Sequence, residues 1–204
     1  MTPEDAKPLP EHLRMPPTPM LESARLVLRP IRENDVGSFK RLFAHWDVVK
    51  YLSASVPWPL PEGDAEAAMA DTLAKMARRE RCSWALTLKD AGDDELIGRI
   101  DLWADDGVSR DQRGFWLGHG YWGRGLMTEA ADRITDYALI DLGWPHLWLC
   151  NAEVNLASHR VKEKQGAELI DRTPAKYVYG DGVRVTWRLT RQAWLARRRG
   201  LAAG

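Results

Sequence analysis

The chain has 204 residues, of which 45% are hydrophobic and 28% are charged, as is usual for a single globular domain. Basic and acidic residues number 29 each, so the zero net charge gives no overall field that would attract nucleic acid or an anionic membrane. No apolar run approaches the ~20 residues that span a bilayer, and the N-terminus does not look like a secretory signal. We therefore expect a cytoplasmic monomer or homodimer with no nucleic-acid or membrane partner.

The first twenty residues are rich in proline, which occurs at Pro3, Pro8, Pro10, Pro16, Pro17 and Pro19. Proline lacks the backbone N–H that a regular hydrogen-bond ladder requires. The sequence therefore predicts an extended or disordered arm over residues 1–20, attached to one domain over 21–204. On this interpretation, deleting the arm would leave the melting temperature nearly unchanged.

The next part of the chain predicts one strand, two helices and a hairpin. The strand lies near Arg25–Leu28, where charged and apolar residues alternate. Asp35 and Asp64 stand before runs with helical spacing of apolar residues, so each is expected to begin a helix. Apolar residues then recur at strand spacing over 84–88 and again over 95–103, on either side of a turn.

The remainder predicts alternating strands and helices. In order these are a strand at 115–117, a helix ending near 142, a strand at 147–150, a helix from Asn155 to Gly166, strands near 168–170 and 183–189, and a terminal helix. The sequence shows no internal repeat and no linker between these elements. The order of elements therefore predicts one α/β domain with a mixed sheet.

Two cysteines, Cys82 and Cys150, lie in apolar strand-like runs. Free cysteine behaves as a small apolar residue and is usually buried. We therefore expect two reduced thiols in the core, and the sequence predicts no bound metal.

A glycine-rich turn precedes the helix that ends near residue 142. Gly118, Gly120 and Gly123 match the spacing of a dinucleotide-binding turn. That fold needs an acidic residue at the end of the following strand, and here the strand ends at Cys150 and Asn151. The surrounding sequence therefore disfavours a dinucleotide site.

The second interpretation of this turn places a diphosphate on Gly123, Arg124 and Gly125. Small residues let several amides at a helix start point at one anion, and the helix dipole and Arg124 add positive charge. Glycines also serve in tight strand-to-helix turns. On these residues alone, the binding and the structural interpretation remain equally open.

Four segments in order resemble the GNAT acetyltransferases, and within them the RimJ/RimL-type amine acetyltransferases, over residues 22–189. They are Leu28–Ile31, Tyr121–Ala130, Asn155–Ser158 and Glu163–Gly166. The family pattern begins its loop with glutamine or arginine. This chain has Gly120 there, so only the glycine half of the pattern is present.

The resemblance implies a GNAT fold of the α/β (α+β) class, with a mixed, mostly antiparallel sheet of about seven strands and helices on both faces. The sheet would splay between its fourth and fifth strands, 114–118 and 147–152, to admit acetyl-coenzyme A. The pantetheine arm would pair with the first of these strands, and the diphosphate would lie on the loop amides. The residues expected to bind it are Trp116, Leu117, Gly118, Gly123, Arg124, Gly125, Leu126, Met127, Thr128, Asn155 and Ser158.

The implied function is direct transfer of an acetyl group from the thioester to a primary amine, either a protein N-terminal α-amine or a small-molecule amine. The alternative is a non-catalytic coenzyme A-binding or adaptor module on the same fold. Ser158, three residues beyond Asn155, would hold or protonate the thiolate. Many relatives use a tyrosine four residues further along, where this chain has Lys162.

Amine acetylation also needs a neutral amine, and three residues near the expected cleft are candidate bases: Asp101, Glu153 and His119. A water relay could replace them. The acids Asp101, Asp105, Asp106 and Asp111 could attract a cationic amine. Trp58 and Trp103 are the expected contacts of the acceptor, with Trp46 as a further candidate.

Overall fold

Eight strands form two antiparallel sheets that lie side by side. The computed structural model describes residues 9–202. The larger sheet has the order β1 to β5, with bounds Leu21–Glu22, Leu26–Pro30, Cys82–Leu88, Gly98–Leu102 and Arg113–Leu117. The smaller sheet has the order β6-β8-β7, with bounds His146–Ala152, Gly180–Thr190 and Glu168–Tyr177. This confirms the expected α/β class and the split between the fourth and fifth long strands, β5 and β6.

Helices cover both faces of the larger sheet. They are α1 Val36–Phe43, α2 Trp46–Val49, α3 Asp64–Ala77, α4 Leu126–Asp136, α5 Leu156–Gln165 and α6 Arg191–Ala202. Side chains alternate across a strand, so Trp84 of β3 joins the core under α4 while its neighbour Ala85 joins the core under α1 and α3. Within residues 9–202, no helix combines the length and the apolar character needed to cross a bilayer.

The start of α1 is held by a buried ion pair. The expected cap, Asp35, does not bond the helix amides. Its carboxylate instead accepts from Arg32 N at 2.7 Å and pairs with Arg29 at 2.6 Å. Both members of the Arg29–Asp35 pair are buried, so this pair fixes the turn between β2 and α1.

The proline-rich segment packs on the domain from residue 15 onward. Met15 is 1% exposed and belongs to the main core. Its amide donates to Arg79 O at 2.8 Å, and the Trp84 indole donates to Pro19 O at 2.7 Å. The segment is extended, as expected. Because of these contacts, we now expect its removal to destabilise the domain. Residues 1–8 of the predicted arm lie outside the described part.

The two sheets are joined at one end of the gap by Gln112, just before β5. Its amide donates to Trp148 O at 2.9 Å, and its side-chain oxygen accepts from Trp148 N at 2.8 Å. The glutamine is buried, and its side chain completes a pairing that backbone atoms would normally make. Beyond this point β5 pairs with β4 alone among the described strands, and the sheets diverge.

The segment that follows α2 closes part of the other side of the gap. Ala54 donates to Lys176 O, Val178 donates to Leu52 O and Tyr179 donates to Lys50 O, at 3.0–3.2 Å. These bonds tie residues 50–54 to the β7–β8 hairpin. The diverging sheets are therefore bridged at both ends, and the gap between β5 and β6 that lies between these bridges is here called the passage.

Candidate active site

The glycine turn presents backbone amides at the start of α4. Gly123 and Gly125 both have φ +76°, a conformation that side-chain-bearing residues rarely adopt. The first bond within the helix runs from Glu129 N to Gly125 O at 3.1 Å. The amides of the preceding first turn therefore have no acceptor within the helix, and with the helix dipole they form an anion-binding surface.

Glu129 anchors this turn to the β1–β2 connection. Its carboxylate accepts from Ser23 Oγ and from Arg25 N, both at 2.7 Å, and it pairs with the Arg25 guanidinium at 2.7 Å. Arg25 also donates to Arg124 O at 2.9 Å. Burial opposes ionisation, but these hydrogen bonds prevail and lower the pKa of Glu129. These contacts hold the loop against the β1–β2 connection.

A groove of about 610 Å³, here called the front groove, runs from the end of β5 across the starts of α4 and α5. Nine of the predicted binding residues line it: Trp116, Leu117, Gly123, Gly125, Leu126, Met127, Thr128, Asn155 and Ser158. Two others do not. The Gly118 amide is bonded to Ile97 O at 2.9 Å, and the Arg124 carbonyl is bonded to Arg25.

The open edge of β5 faces the groove with alternate residues. Gly118 N donates to Ile97 O, just before β4, so the backbone groups of Gly118 point toward β4. These groups alternate in direction along a strand, and the N–H and C=O groups of Phe115 and Leu117 therefore point away from β4. The Leu117 carbonyl on this edge accepts from the Trp122 indole at 2.8 Å. The structure therefore favours Phe115 and Leu117, rather than Gly118, for backbone pairing with an extended ligand.

A second cavity of about 300 Å³, here called the rear cavity, lies on the other side of the gap, against the β7–β8 hairpin. Its lining is polar and includes Asp111, Lys176, Tyr177 and Arg184. Cys150 also lines it and is therefore only partly buried, whereas Cys82 is fully buried as expected. The charged lining suits a polar molecule rather than an apolar one.

Five residues line both cavities: Tyr51, Leu52, Phe115, Asn155 and Ser158. Asn155 Oδ1 accepts from Ser158 N at 3.1 Å, so Asn155 caps α5 and fixes the first turn that carries Ser158. A group bound in the front groove and another bound in the rear cavity would therefore meet beside Ser158.

Lys162 lies directly behind Ser158, one helical turn along α5. Its Nζ is 2.8 Å from Ser158 Oγ, and the side chain is 2% exposed. Within residues 9–202, no carboxylate oxygen lies within 4.0 Å of it. Burial, reinforced by the positive Arg113 and opposed by Asp111, lowers the pKa of Lys162 to about 7.

Asp111 is a second titratable group with a displaced pKa, and it faces the rear cavity. Its side chain is 32% exposed, yet Oδ1 is buried and finds no hydrogen-bond partner in the described part of the chain. The nearest cation is Arg184, at 4.0 Å. Burial outweighs the attraction of that guanidinium and raises the pKa of Asp111 to about 6.

The structure does not bring the predicted bases to either cavity wall. Asp101 is paired with Arg99 at 2.8 Å and lies on the face of β4 that meets α3. Glu153 is exposed and paired with Arg172 at 2.8 Å. The sequence analysis expected both carboxylates near the gap. The alternation of side chains along β4 instead directs Asp101 toward α3.

The predicted acceptor contacts are also elsewhere. The Trp103 indole donates to Asp111 O at 2.5 Å and therefore supports the loop behind the rear cavity. Trp58 packs against Trp46, with ring centroids 5.7 Å apart, and neither ring lines a cavity. The aromatic residues that line the rear cavity are instead Tyr51, Phe115 and Tyr177, none of which the sequence analysis assigned to the acceptor.

His119 lies near Asp47 and His45 at the mouth of the front groove, with their possible ligand atoms within 4.8 Å of one another. The two imidazoles are stacked with centroids 4.5 Å apart, so their in-plane lone pairs do not converge on one point. Asp47 is also paired with Lys50 at 2.5 Å. We therefore assign neither a metal nor a base to this cluster.

Comparison with known proteins agrees with this geometry. A family model described as an acetyltransferase (GNAT) domain matches residues 25–168. The uncharacterized N-acetyltransferase YoaA of Bacillus subtilis strain 168 is 25% identical over 166 residues, which cover 80% of this chain and 90% of YoaA.

Solved structures of acetyltransferases share the fold at low sequence identity. Mycobacterium smegmatis RimJ in complex with CoA-disulfide superimposes with a TM-score of 0.76 at 16% identity, covering 92% of this chain and 95% of RimJ. The ribosomal L7/L12 α-N-protein acetyltransferase RimL, in complex with coenzyme A, gives 0.71 at 14% identity, covering 84% and 98%. With the family model spanning most of the chain, the protein belongs to the GNAT acetyltransferase family and is an acyltransferase.

Proposed function

We propose that this protein is an acetyl-coenzyme A-dependent N-acetyltransferase that acts on the N-terminal α-amine of a peptide or protein. The observation that carries the proposal is the passage between the sheets. An anion-binding groove on one side and a polar cavity on the other meet at Ser158.

The front groove fits acetyl-coenzyme A in its chemistry. The first-turn amides of α4 suit a diphosphate, and the open edge of β5 at Phe115 and Leu117 suits the amide-containing pantetheine arm. A Cβ built at Gly123 would meet no described atom within 4 Å, so the loop surface is open to a ligand there. When bound, acetyl-coenzyme A supplies an acetyl group activated as a thioester.

The residues around the passage can perform the three tasks that the transfer requires. Asp111 can take a proton from an acceptor ammonium in the rear cavity. A backbone amide on the open edge of β5 can polarise the thioester carbonyl. Ser158, at the junction, can donate its hydroxyl hydrogen to the departing sulfur.

Charge and proton affinity favour an α-amine over other amines. A base with a pKa of about 6 lies within two units of an α-ammonium, at about 8, but more than four units below a lysine-like amine, at about 10.4. Lys176 and Arg184 also line the cavity and would repel polycations such as polyamines. A peptide has one terminal charge and offers carbonyl oxygens to these cations.

The test is thiol release from acetyl-coenzyme A in the presence of a panel of amines. The panel contains lysine-free hexapeptides with free N-termini, the same peptides already N-acetylated, spermidine and an aminoglycoside. We expect thiol release and a mass gain of one acetyl group only with free N-termini. Faster release with spermidine or the aminoglycoside would assign a small-molecule acceptor, and no release with any amine would refute the proposal.

A further inference from the structure

Ser158 and Lys162 form a couple in which only the serine reaches the passage. Ser158 is 7% exposed and lines both cavities, whereas Lys162 lines neither. The hydrogen bond of 2.8 Å between Nζ and Oγ is the closest polar contact of the ammonium group among the residues that the structure describes. Any chemistry of Lys162 must therefore pass through the serine hydroxyl.

We propose that Lys162 is the proton source of the transfer and that Ser158 relays its proton to the departing thiolate. The inference rests on the proposed function, because it concerns the last step of that reaction. It assigns a role to a lysine at the position where, by the resemblance described above, many GNAT relatives have a tyrosine.

The step balances in atoms and charge. The acceptor nitrogen forms a bond to the acetyl carbon, and the carbon–sulfur bond breaks with its electron pair on sulfur. The Ser158 Oγ–H proton moves to sulfur as a proton on Lys162 Nζ moves to Oγ, which leaves the serine unchanged and the lysine neutral. The acceptor ammonium loses two protons in all, one before its nitrogen attacks and one after the new bond forms. One of them replaces, through solvent, the proton that Lys162 gave up, and the other is released.

The surroundings of Lys162 make this direction of transfer favourable. An ordinary lysine, with a pKa of about 10.4, would hold its proton more tightly than a thiolate whose thiol has a pKa of about 8.5. The charged and titratable groups facing Nζ are Arg113 on β5, Asp111 before β5 and Cys150 on β6. With burial, their net effect lowers the pKa of Lys162 to about 7, below that of the thiol.

The experiment compares turnover from pH 6 to 9 in the wild type, Ser158→Ala, Lys162→Met and the double variant. Acetyl-coenzyme A and the best free hexapeptide of the panel are the substrates. Lys75→Met is the matched control, because Lys75 is paired with Asp71 on α3, far from the passage. Thermal unfolding of each variant verifies folding.

We expect each single variant to lower kcat by about a hundredfold at pH 6.5 while KM for acetyl-coenzyme A stays within threefold. The double variant should be no slower than either single variant, because the two residues act as a unit. The kcat ratio of wild type to Lys162→Met should fall as the pH rises through about 7, which a purely structural role would not produce.

Three results would overturn the relay. One is a kcat ratio that does not change with pH, and another is additive loss in the double variant. The third is an acetyl group covalently bound to Ser158 in the wild type by mass spectrometry, since the serine would then be a nucleophile. If Lys162→Met does not fold, the pH dependence of the kcat ratio of wild type to Ser158→Ala tests the relay in its place. Absence of thiol release by the wild type would refute the proposed function itself. If the wild type releases thiol and Lys162→Met has the same kcat, only the relay is refuted.

Discussion

Met15→Ala should destabilise the protein even though the residue lies in a proline-rich segment before the first strand. Met15 is 1% exposed and packs in the main core, so the substitution removes buried apolar atoms and leaves a cavity. Substitutions of this type cost about 2–5 kcal/mol. Met20, in the same segment, is 60% exposed, and Met20→Ala should change stability by less than about 0.5 kcal/mol.

Urea unfolding followed by tryptophan fluorescence measures both variants. For a chain of this length the Met15→Ala effect corresponds to a fall in melting temperature on the order of 10 °C. Deletion of residues 1–19 should cost at least as much, because it also removes the carbonyl that the Trp84 indole donates to. Equal stability of Met15→Ala and Met20→Ala would refute the docking of this segment.

Three further predictions concern the site. Gly125→Glu should weaken the binding of acetyl-coenzyme A, measured by calorimetry, by more than about tenfold. The substitution sets a carboxylate beside the anion-binding surface and puts a side chain on a residue with φ +76°. The control Gly120→Ala should bind acetyl-coenzyme A with an affinity within twofold of that of the wild type. Asp111→Asn should lower kcat with peptide about a hundredfold, while the exposed Glu153→Gln should retain full activity; the reverse result would restore Glu153 as the base. Folding lowers the pKa of Lys162, so above about pH 7 the unfolded chain binds more protons than the folded protein does. The free energy of unfolding of the wild type, relative to that of Lys162→Met, should therefore rise toward pH 9. The rise should be up to about 1.4 kcal/mol per pH unit, measured by urea unfolding. A constant difference between pH 7 and 9 would contradict that shift.

Local sequence signals predicted the elements around the site well. The helix from Asn155 to Gly166 has the predicted cap and ends at the predicted glycine, which has φ +78°. The glycine turn and the start of α4 also lie where the sequence placed them. These features depend on neighbouring residues only, and a single sequence contains that information.

The chemistry at the passage was harder to predict, because it depends on long-range packing. Ser158, Val161, Lys162 and Gln165 are spaced as one helical face, and all four are buried. Three of them are polar, so hydropathy did not mark this face as buried. A lysine at a core position of a helix was the available signal for Lys162.

Asp111 shows a different limit of sequence analysis. It belongs to a loop with several acids, and nothing in the local pattern distinguishes it from Asp105 or Asp106. Only the fold reveals that its Oδ1 is buried beside the hairpin. The packing of the proline-rich segment was not predicted for a related reason, since proline content predicts an extended chain but not the surface on which that chain lies.

The pairing through Gln112 has a consequence for self-association. An unpaired strand edge invites the addition of a strand from another molecule, and the proposed pairing of β5 with a ligand requires this edge to stay free. Here β5 has only five residues, and Gln112 at one end and the segment 50–54 near the other confine it within a recess. A second copy of the chain would have to thread that recess to add a strand, whereas a narrow, flexible ligand can enter it directly.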